Sequence, residues 1–318
     1  MIWKSAILCS IGLSTLLITL YGFLVSKNKI SYISLIDTKN FKSKFPRSVK
    51  NSLNICYDKN NNPTQNCLGG WFYKANIKSA NENAAFAKKH DWNYVLLSSN
   101  IKTKNARQRL INNINAFRAQ NITVHLMCLE DTNYIDNPKS AYNEISSLLH
   151  FVKNQNLDIQ GIHIDCEPHG REDWKNATIA ERKTIFNQYL KVIEKGRMAI
   201  NKVRPNTIYS AAVAWWYSSK TKKNELEYGN GYDLVNSDRL DFIFPMIYDG
   251  AGGSVQKVIS HSEDYITDNA ATVIGIAVKD YDYNSFQNIT QEIMNIRSNS
   301  NYFNGISVYA NIYYPDWD

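Results

Sequence analysis

The chain has 318 residues, of which 44% are hydrophobic and 12% aromatic; this is a globular composition and excludes an intrinsically disordered chain. The net charge is +7, but residues 26–50 alone carry seven Lys or Arg against one Asp, and residues 51–318 are neutral overall. A neutral main domain lacks the basic surface that nucleic-acid binding needs, so we expect no nucleic-acid partner.

The N-terminus carries a candidate membrane element. Residues 5–25 contain no charge and are rich in Leu and Ile, and roughly 20 such residues span a bilayer. We predict a signal anchor or signal peptide at 1–29, and we favour the anchor because no small-residue cleavage motif follows Leu24. A basic juxtamembrane or linker segment follows at 30–66; its charges suit either anionic lipid headgroups or solvent.

The cysteines bear on the compartment. Cys56 and Cys67 bracket a polar loop, either as a disulfide of an oxidising compartment or as two free thiols. The basic flank after the apolar run indicates the opposite, cytoplasmic, orientation. We expect a main domain that is extracytoplasmic and membrane-anchored, or secreted. Cys128 and Cys166 are predicted core residues. No Cys/His spacing is typical of zinc, so we expect neither metal nor cofactor.

Beyond residue 67, β-like segments alternate with helix-like segments. Amphipathic helices are predicted at 106–120, 180–203 and 285–299 from their apolar periodicity. The predicted strands lie at 69–75, 92–99, 122–131, within 159–170, and at 207–216, 240–250, 271–280 and 304–314.

This alternation predicts an α/β fold with parallel strands joined by right-handed crossovers. Eight repeats in about 250 residues fit a (β/α)8 TIM barrel, which we assign to residues 67–318. A doubly wound open sheet is the alternative, but no Gly-rich phosphate loop follows its first strand. No eighth helix is visible after the last strand, and we assign residues 30–66 to that gap as a hypothesis.

The C-terminal ends of barrel strands form the active-site rim. In this chain the strands carry carboxylates and aromatic rings there, which suits glycoside cleavage because acids protonate the leaving oxygen and rings hold sugars. The candidate side chains are Trp71, Glu130, Asp165, Glu167, Trp215, Trp216, Tyr248, Asp249, Asp280 and Tyr309. Trp215 and Trp216 are adjacent, so at most one of them should face the sugar.

The fourth strand, "IQGIHIDCEPHG", places His163, Asp165 and Glu167 in alternation, so they share one face. We interpret Glu167 as a general acid and Asp165 as its partner, with one shared proton raising the pKa of the upper acid. The alternative is a buried polar network that only stabilises the barrel. His163 is either a lower proton partner or a core histidine.

The segment "GIHIDCE" resembles the DGxDxDxE signature of family 18 glycoside hydrolases, the chitinase-like enzymes, and "FPMIYDG" resembles their sixth-strand M-x-Y-D motif. This resemblance implies that Glu167 is the acid/base and that Asp165 orients the substrate's own 2-acetamido nucleophile. It also implies that Tyr248 donates to the acetamido oxygen and that Asp249 contacts the sugar.

This sequence departs from the signature at three positions. Gln160 and His163 replace its first and middle Asp, and Cys166 replaces the usual Trp. Tyr309 is the nearest match to the family's eighth-strand Trp. These changes put chitin specificity in doubt more than hydrolase chemistry.

We therefore expect a glycoside hydrolase that cleaves an N-acetylated polysaccharide or glycan by acid/base, substrate-assisted catalysis, with no protein partner. The alternatives are a non-catalytic sugar-binding barrel, a membrane-tethered scaffold, and a retaining two-carboxylate glycosidase. The last needs a Glu after the seventh strand, where Asp280 lies instead. The predicted substrate-binding residues are Trp71, Glu130, His163, Trp215, Trp216, Asp280 and Tyr309.

Overall fold

The structure is a computed structural model that describes residues 53–317, except 59, 61, 65, 66, 249 and 250. The predicted membrane element at 1–29 and most of the predicted linker at 30–66 lie outside the described residues. Within the described part of the chain, no helix is both long enough and apolar enough to cross a membrane.

Eight parallel strands close into one barrel, in sequence order from β1 to β8. The barrel closes where β1 pairs with β8, through Gly69 opposite Ser307 and Gly70 opposite Val308. The predicted parallel (β/α)8 topology is therefore confirmed, and the open-sheet alternative is wrong. The strands are β1 Leu68–Phe72, β2 Tyr94–Ser98, β3 Thr123–Cys128, β4 Gly161–Ile164, β5 Ile208–Ala214, β6 Phe242–Met246, β7 Thr272–Ala277 and β8 Phe303–Tyr309.

Helices cover the outside of the barrel, and the three predicted from periodicity are α2, α5 and α8. The helices are α1 Ala80–Lys89, α2 Lys104–Ala119, α3 Pro138–Asn154, α4 Glu172–Asn176, α5 Ile179–Val203, α6 Tyr217–Lys222, α7 Val255–Thr267 and α8 Tyr283–Arg297. The longest, α5, begins with a capping box in which Thr178 and Glu181 satisfy each other's backbone N–H groups.

Side chains alternate along each strand and divide the core into two parts. On β1, Phe72 points outward into the layer between strands and helices, whereas Trp71 points into the lumen. Gly161 on β4 allows the lumen to hold His125, because a Cβ at residue 161 would lie 2.0 Å from Nδ1 of that ring. Cys128 and Cys166 are buried free thiols in the outer layer, as predicted.

A disulfide-bonded hairpin closes the base of the barrel, at the N-terminal ends of the strands. Cys56 and Cys67 form the disulfide, so the alternative of two free thiols is wrong. The carbonyl of Ile55 accepts a hydrogen bond of 2.8 Å from Nε2 of the lumen residue His125. The amide of Tyr57 donates to Oγ1 of Thr123, the first residue of β3, at 2.9 Å.

The C-terminal residues, rather than an eighth α-helix, fill the space between α1 and α8. After β8, the described chain to Trp317 contains only a short 3₁₀ turn. The ring of Tyr314 packs on Phe86 of α1 and Phe286 of α8, at centroid distances of 5.3 and 6.2 Å. The hypothesis that residues 30–66 cover this gap is wrong for their described part, which lies at the barrel base.

Candidate active site

The fourth strand delivers two carboxylates to the mouth of the barrel, at its C-terminal end. The regular strand stops at Ile164, and the amide of Asp165 still donates to the carbonyl of Cys128 at 3.2 Å. Glu167 lies two residues further out and precedes a 3₁₀ turn at Pro168–Gly170. The two acids are thus held by a rigid strand end, but neither lies within the strand.

Asp165 is the more deeply placed of the two acids. Its Oδ2 accepts a hydrogen bond of 2.9 Å from the hydroxyl of Tyr73, which follows β1. Burial raises the pKa of Asp165, and the hydrogen bond from Tyr73 opposes that rise because it favours the charged carboxylate. Burial and the neighbouring Asp165 also raise the pKa of Tyr73, so this phenol stays a donor.

Glu167 reaches solvent: its side chain is 37% exposed. Its Oε2 lies 3.3 Å from Nε2 of His169, and Nδ1 of the same ring lies 2.7 Å from the hydroxyl of Tyr217. Burial lowers the pKa of His169 to about 4, so the ring is neutral at pH 7. When the Tyr217 hydroxyl donates to Nδ1, the neutral ring carries its proton on Nε2, and this N–H faces Glu167.

Glu130 follows β3, beyond a turn at Leu129 in the left-handed region (φ 56°). Its Oε1 accepts a hydrogen bond of 2.7 Å from Oγ of Ser98 at the end of β2. Glu130 is exposed as a whole residue, and its carboxyl group is partly buried. That burial raises the pKa of Glu130 to about 7, the Ser98 bond lowers it, and the charge of Asp165 raises it.

Two tyrosines form a stacked pair beside the carboxylates. The rings of Tyr248, after β6, and Tyr309, at the end of β8, are nearly parallel at 9°, with centroids 4.9 Å apart. Tyr309 also contacts Tyr73 edge-on at 6.1 Å and Tyr313 at 5.5 Å. The pair therefore joins the β6 side of the mouth to the β1 side.

Trp71 and His163 lie underneath this layer. Trp71 is 1% exposed and His163 is fully buried, which differs from the predicted contact of both residues with substrate. Nδ1 of His163 lies 2.9 Å from Oγ of Ser210, and its ring packs edge-on against Phe244 at 4.7 Å. Burial lowers the pKa of His163 well below its usual value, which agrees with the interpretation as a neutral core histidine.

The adjacent tryptophans after β5 diverge, because residues 215 and 216 form a turn rather than extended strand. Trp215 packs on His261 of α7 at a centroid distance of 3.8 Å. Trp216 contacts His169 at 5.6 Å and so lies on the side of Glu167. Trp216 is thereby connected to Glu167 through His169, and which of the two rings contacts a sugar stays a prediction.

Two further candidates lie at the ends of β6 and β7. Asp280 ends a 3₁₀ turn, and a Cβ at Gly252 would come within 2.6 Å of its Oδ2, so its carboxylate packs against that loop. Asp249 lies outside the described residues, and its predicted role stays a prediction. Among the residues that the structure does describe, no group of three or more His, Cys, Asp or Glu could hold a metal ion.

Tyr73, Ser98 and His169 contact the predicted acids, and Tyr217 contacts His169, but none of these four residues was among the predicted site residues. Strand alternation could have indicated Tyr73, because it lies two residues beyond the inward-facing Trp71. The contact of His169 with Tyr217 of α6 joins residues 48 positions apart, so no local pattern could have indicated it.

No protein-family model and no curated protein matches the sequence. Solved structures that share the fold include a GH18 chitinase from Pseudoalteromonas aurantia, at 16% identity and a TM-score of 0.51, covering 79% of this chain and 97% of that one. Fungal β-1,4-galactanases align at 12% identity and a TM-score of 0.52, covering 79% and 90%. A Thermomonospora fusca β-mannanase in complex with mannohexaose aligns at 14% identity and a TM-score of 0.53, covering 79% and 80%. The chain therefore has the (β/α)8 barrel fold, and the structures that it resembles include glycoside hydrolases of several kinds.

Proposed function

We propose that this protein is a glycoside hydrolase that cleaves an N-acetylated polysaccharide or glycan by acid/base catalysis with assistance from the substrate's acetamido group. One observation carries the proposal: a half-buried, hydrogen-bonded Asp165 precedes a solvent-reaching Glu167 by two residues at the C-terminal end of β4. The shared fold with several glycoside hydrolases supports the reaction class.

In the proposed first step, Glu167 donates its proton to the glycosidic oxygen as the bond from that oxygen to the anomeric carbon breaks. The carbonyl oxygen of the 2-acetamido group forms a bond to the same carbon, giving a cyclic oxazolinium ion. The carboxylate of Asp165 accepts a hydrogen bond from the acetamido N–H and so stabilises the positive charge. Tyr248 would donate to the acetamido oxygen, and Asp249 is proposed as a sugar contact.

In the second step, the Glu167 carboxylate takes a proton from water, and the water oxygen attacks the anomeric carbon. The ring of the oxazolinium ion opens, the acetamido group is restored and Glu167 is protonated again. His169 lies beside Glu167 and is neutral near pH 7, so its own charge does not change during the two steps. Its N–H can donate to Glu167 whether that acid is protonated or ionised.

Several other residues are proposed to hold the substrate rather than to react. Tyr309, Trp216, Glu130 and Asp280 come from four different strand ends of the same mouth. Aromatic rings suit the apolar faces of sugars, and carboxylates suit their hydroxyl groups.

We also propose that the barrel functions outside the cytoplasm, either anchored in a membrane by the N-terminal apolar run or secreted. The disulfide between Cys56 and Cys67 supports an oxidising compartment. A reporter active only outside the cytoplasm, fused after residue 318, tests this proposal, and a full-length fusion that shows no reporter activity would overturn it.

The first experiment for the activity incubates the purified protein with oligosaccharides that carry or lack N-acetyl groups, and identifies products by mass spectrometry. Glu167→Gln keeps the shape of the side chain but cannot donate the proton, so we expect a loss of about 10² to 10⁴-fold. Glu172→Gln, on α4, is the matched control and should keep full activity. Cleavage confined to sugars without the acetamido group would overturn the substrate-assisted mechanism and favour a two-carboxylate glycosidase.

A non-catalytic sugar-binding barrel is the second candidate. The neutral, buried His163 favours it, because the position below Asp165 then lacks the carboxyl of the related signature. Binding of an N-acetylated oligosaccharide to both the wild type and Glu167→Gln, with no product from either, would establish this candidate.

A further inference from the structure

The buried side chain of Asn311 pairs with the backbone of Tyr73. Asn311 follows β8 in a 3₁₀ turn and is fully buried. Its Oδ1 accepts a hydrogen bond of 2.7 Å from the Tyr73 amide, and its Nδ2 donates to the Tyr73 carbonyl at 3.0 Å. The side-chain amide thus offers one acceptor and one donor, as a neighbouring strand would.

This pairing lies just beyond the regular contact of β1 with β8, whose last paired residues are Gly70 and Val308. Tyr73 lies after the end of β1, where no further strand pairing fixes its backbone. The side-chain amide of Asn311 takes over that role. It fixes the backbone of Tyr73 and thereby the position from which the phenol side chain extends.

The phenol then reaches the predicted catalytic centre. Its hydroxyl donates to Oδ2 of Asp165 at 2.9 Å, and its ring meets Tyr309 edge-on at 6.1 Å. Two consecutive contacts therefore connect Asn311 to Asp165, across sequence separations of 238 and 92 residues.

We propose that Asn311 is a positioning residue that fixes Tyr73, and through its hydroxyl Asp165, for the reaction. This inference rests on the proposed function only where it concerns turnover. Asn311 does not touch the reacting atoms; it holds the donor that holds the carboxylate.

Loss of the Asn311 amide leaves two backbone polar groups of Tyr73 without their partner, and the phenol is then free to shift. Asp165 would lose the donor that favours its charged form, while burial continues to favour the neutral form. The other described titratable groups that interact with Asp165 include Glu130 after β3, Tyr309 on β8 and the adjacent Cys166, and none of these three can carry a positive charge. The Asp165 carboxyl should therefore keep its proton to a higher pH.

A direct test follows the carboxyl of Asp165 by infrared spectroscopy on ¹³C-aspartate-labelled protein, subtracting the same variant carrying Asp165→Asn at each pH. We expect Tyr73→Phe and Asn311→Ala to raise the proton affinity of Asp165 by about tenfold, because the first removes the hydrogen bond to the charged form and the second releases the residue that donates it. Asn304→Ala is the matched control, because Nδ2 of Asn304 donates to the carbonyl of Tyr302, two residues away on the same strand end and distant from Asp165 in sequence. An unchanged titration in Asn311→Ala would overturn the proposal.

Kinetics give the second readout. We expect Asn311→Ala to lower kcat about tenfold with KM within about threefold, since positioning of Asp165 matters more after the substrate is bound. The double variant with Tyr73→Phe should be no slower than Tyr73→Phe alone, because both changes interrupt one path. Additive losses would show that Asn311 acts independently of the Tyr73 hydroxyl and would overturn the proposal.

Two outcomes separate this proposal from the proposed function. If the wild type cleaves no sugar, the proposed function fails, while the infrared titration still decides the role of Asn311. If Asn311→Ala does not fold, Asn311→Ser, which keeps one hydrogen-bonding group, replaces it, and an unchanged titration in that variant would overturn the proposal equally.

Discussion

The hydroxyl of Ser98 donates a hydrogen bond of 2.7 Å to Oε1 of Glu130, so the ends of β2 and β3 together hold one acid in the barrel mouth. This acid has a raised pKa of about 7 against an ordinary value of 4.5, chiefly because of burial. Between those two pH values the folded protein binds more protons here than the unfolded chain does. The group therefore contributes to stability at low pH, and the contribution is lost as the pH rises through 7.

Glu130 should give the enzyme a titration near neutral pH. If its protonated form donates to the sugar, KM for an oligosaccharide rises as the pH passes through about 7, and Glu130→Gln removes this transition. Ser98→Ala removes the bond that lowers this pKa and should move the transition to higher pH. A pH profile of KM that is the same in all three proteins would contradict this role.

The stacked pair of Tyr248 and Tyr309 should be a binding element. Tyr309→Ala removes a ring that lies 4.9 Å from its partner, and we expect KM to rise about tenfold, in the range of one aromatic contact. Tyr309→Phe keeps the ring and should stay within about threefold of the wild type. Steady-state kinetics on one oligosaccharide compares the two variants, and equal effects of both would sink the stacking explanation.

Trp317 should be a major contributor to stability despite its place near the end of the chain. It is 3% exposed, and its ring packs against Phe72 and Phe86 at centroid distances of 5.2 and 4.9 Å. Trp317→Ala should lower the free energy of unfolding by about 3 to 5 kcal/mol, as for other large-to-small core changes. Urea unfolding measures the loss; Tyr232→Ala, at a 63% exposed position, is the control. A loss below about 1 kcal/mol would argue against a packed C-terminal segment.

His125 should make the barrel sensitive to acid. Burial lowers its pKa from 6.5 to about 4, so the unfolded chain takes up a proton in this range before the folded protein does. Stability should therefore fall as the pH drops from 6.5 towards 4, by at most about 1.4 kcal/mol per pH unit from this one group.

Urea unfolding at several pH values tests that slope. His125→Gln removes the titrating ring and should flatten the dependence of the unfolding free energy on pH. The exposed His150→Gln is the matched control and should keep the wild-type slope. An unaltered slope in His125→Gln would show that other buried groups, such as His163, dominate the response.

Local sequence patterns were sufficient to predict the barrel. Apolar periodicity indicated α2, α5 and α8, and the alternation of short strands with helices gave the parallel order of all eight strands. The same alternation placed Asp165 towards the lumen of the mouth, where it meets Tyr73. Each of these features depends on neighbours within a few residues, so each can be read along the chain.

The contacts that shape the site join distant parts of the chain and were not predictable in this way. Asn311 and Tyr73 are 238 residues apart and meet only because β8 closes against β1. The alternation of side chains along a strand predicts the face on which a residue lies but not how deeply it is buried. The sequence therefore did not indicate that Tyr248 and Tyr309 would cover Trp71. Trp215 and Trp216 show the same limit. They form a turn after β5, and the alternation of side chains no longer predicts their directions once the strand has ended.

The bonded hairpin at residues 56–67 has a practical consequence for handling this protein. Leu53 leads into that hairpin, so the described chain enters the barrel from the sealed base, opposite the mouth that holds Asp165 and Glu167. A bead, chip or fusion partner joined ahead of Leu53 would meet the base and leave the mouth unobstructed. Immobilisation from this side is therefore the preferred geometry for presenting the mouth of the barrel to a polymeric test substrate.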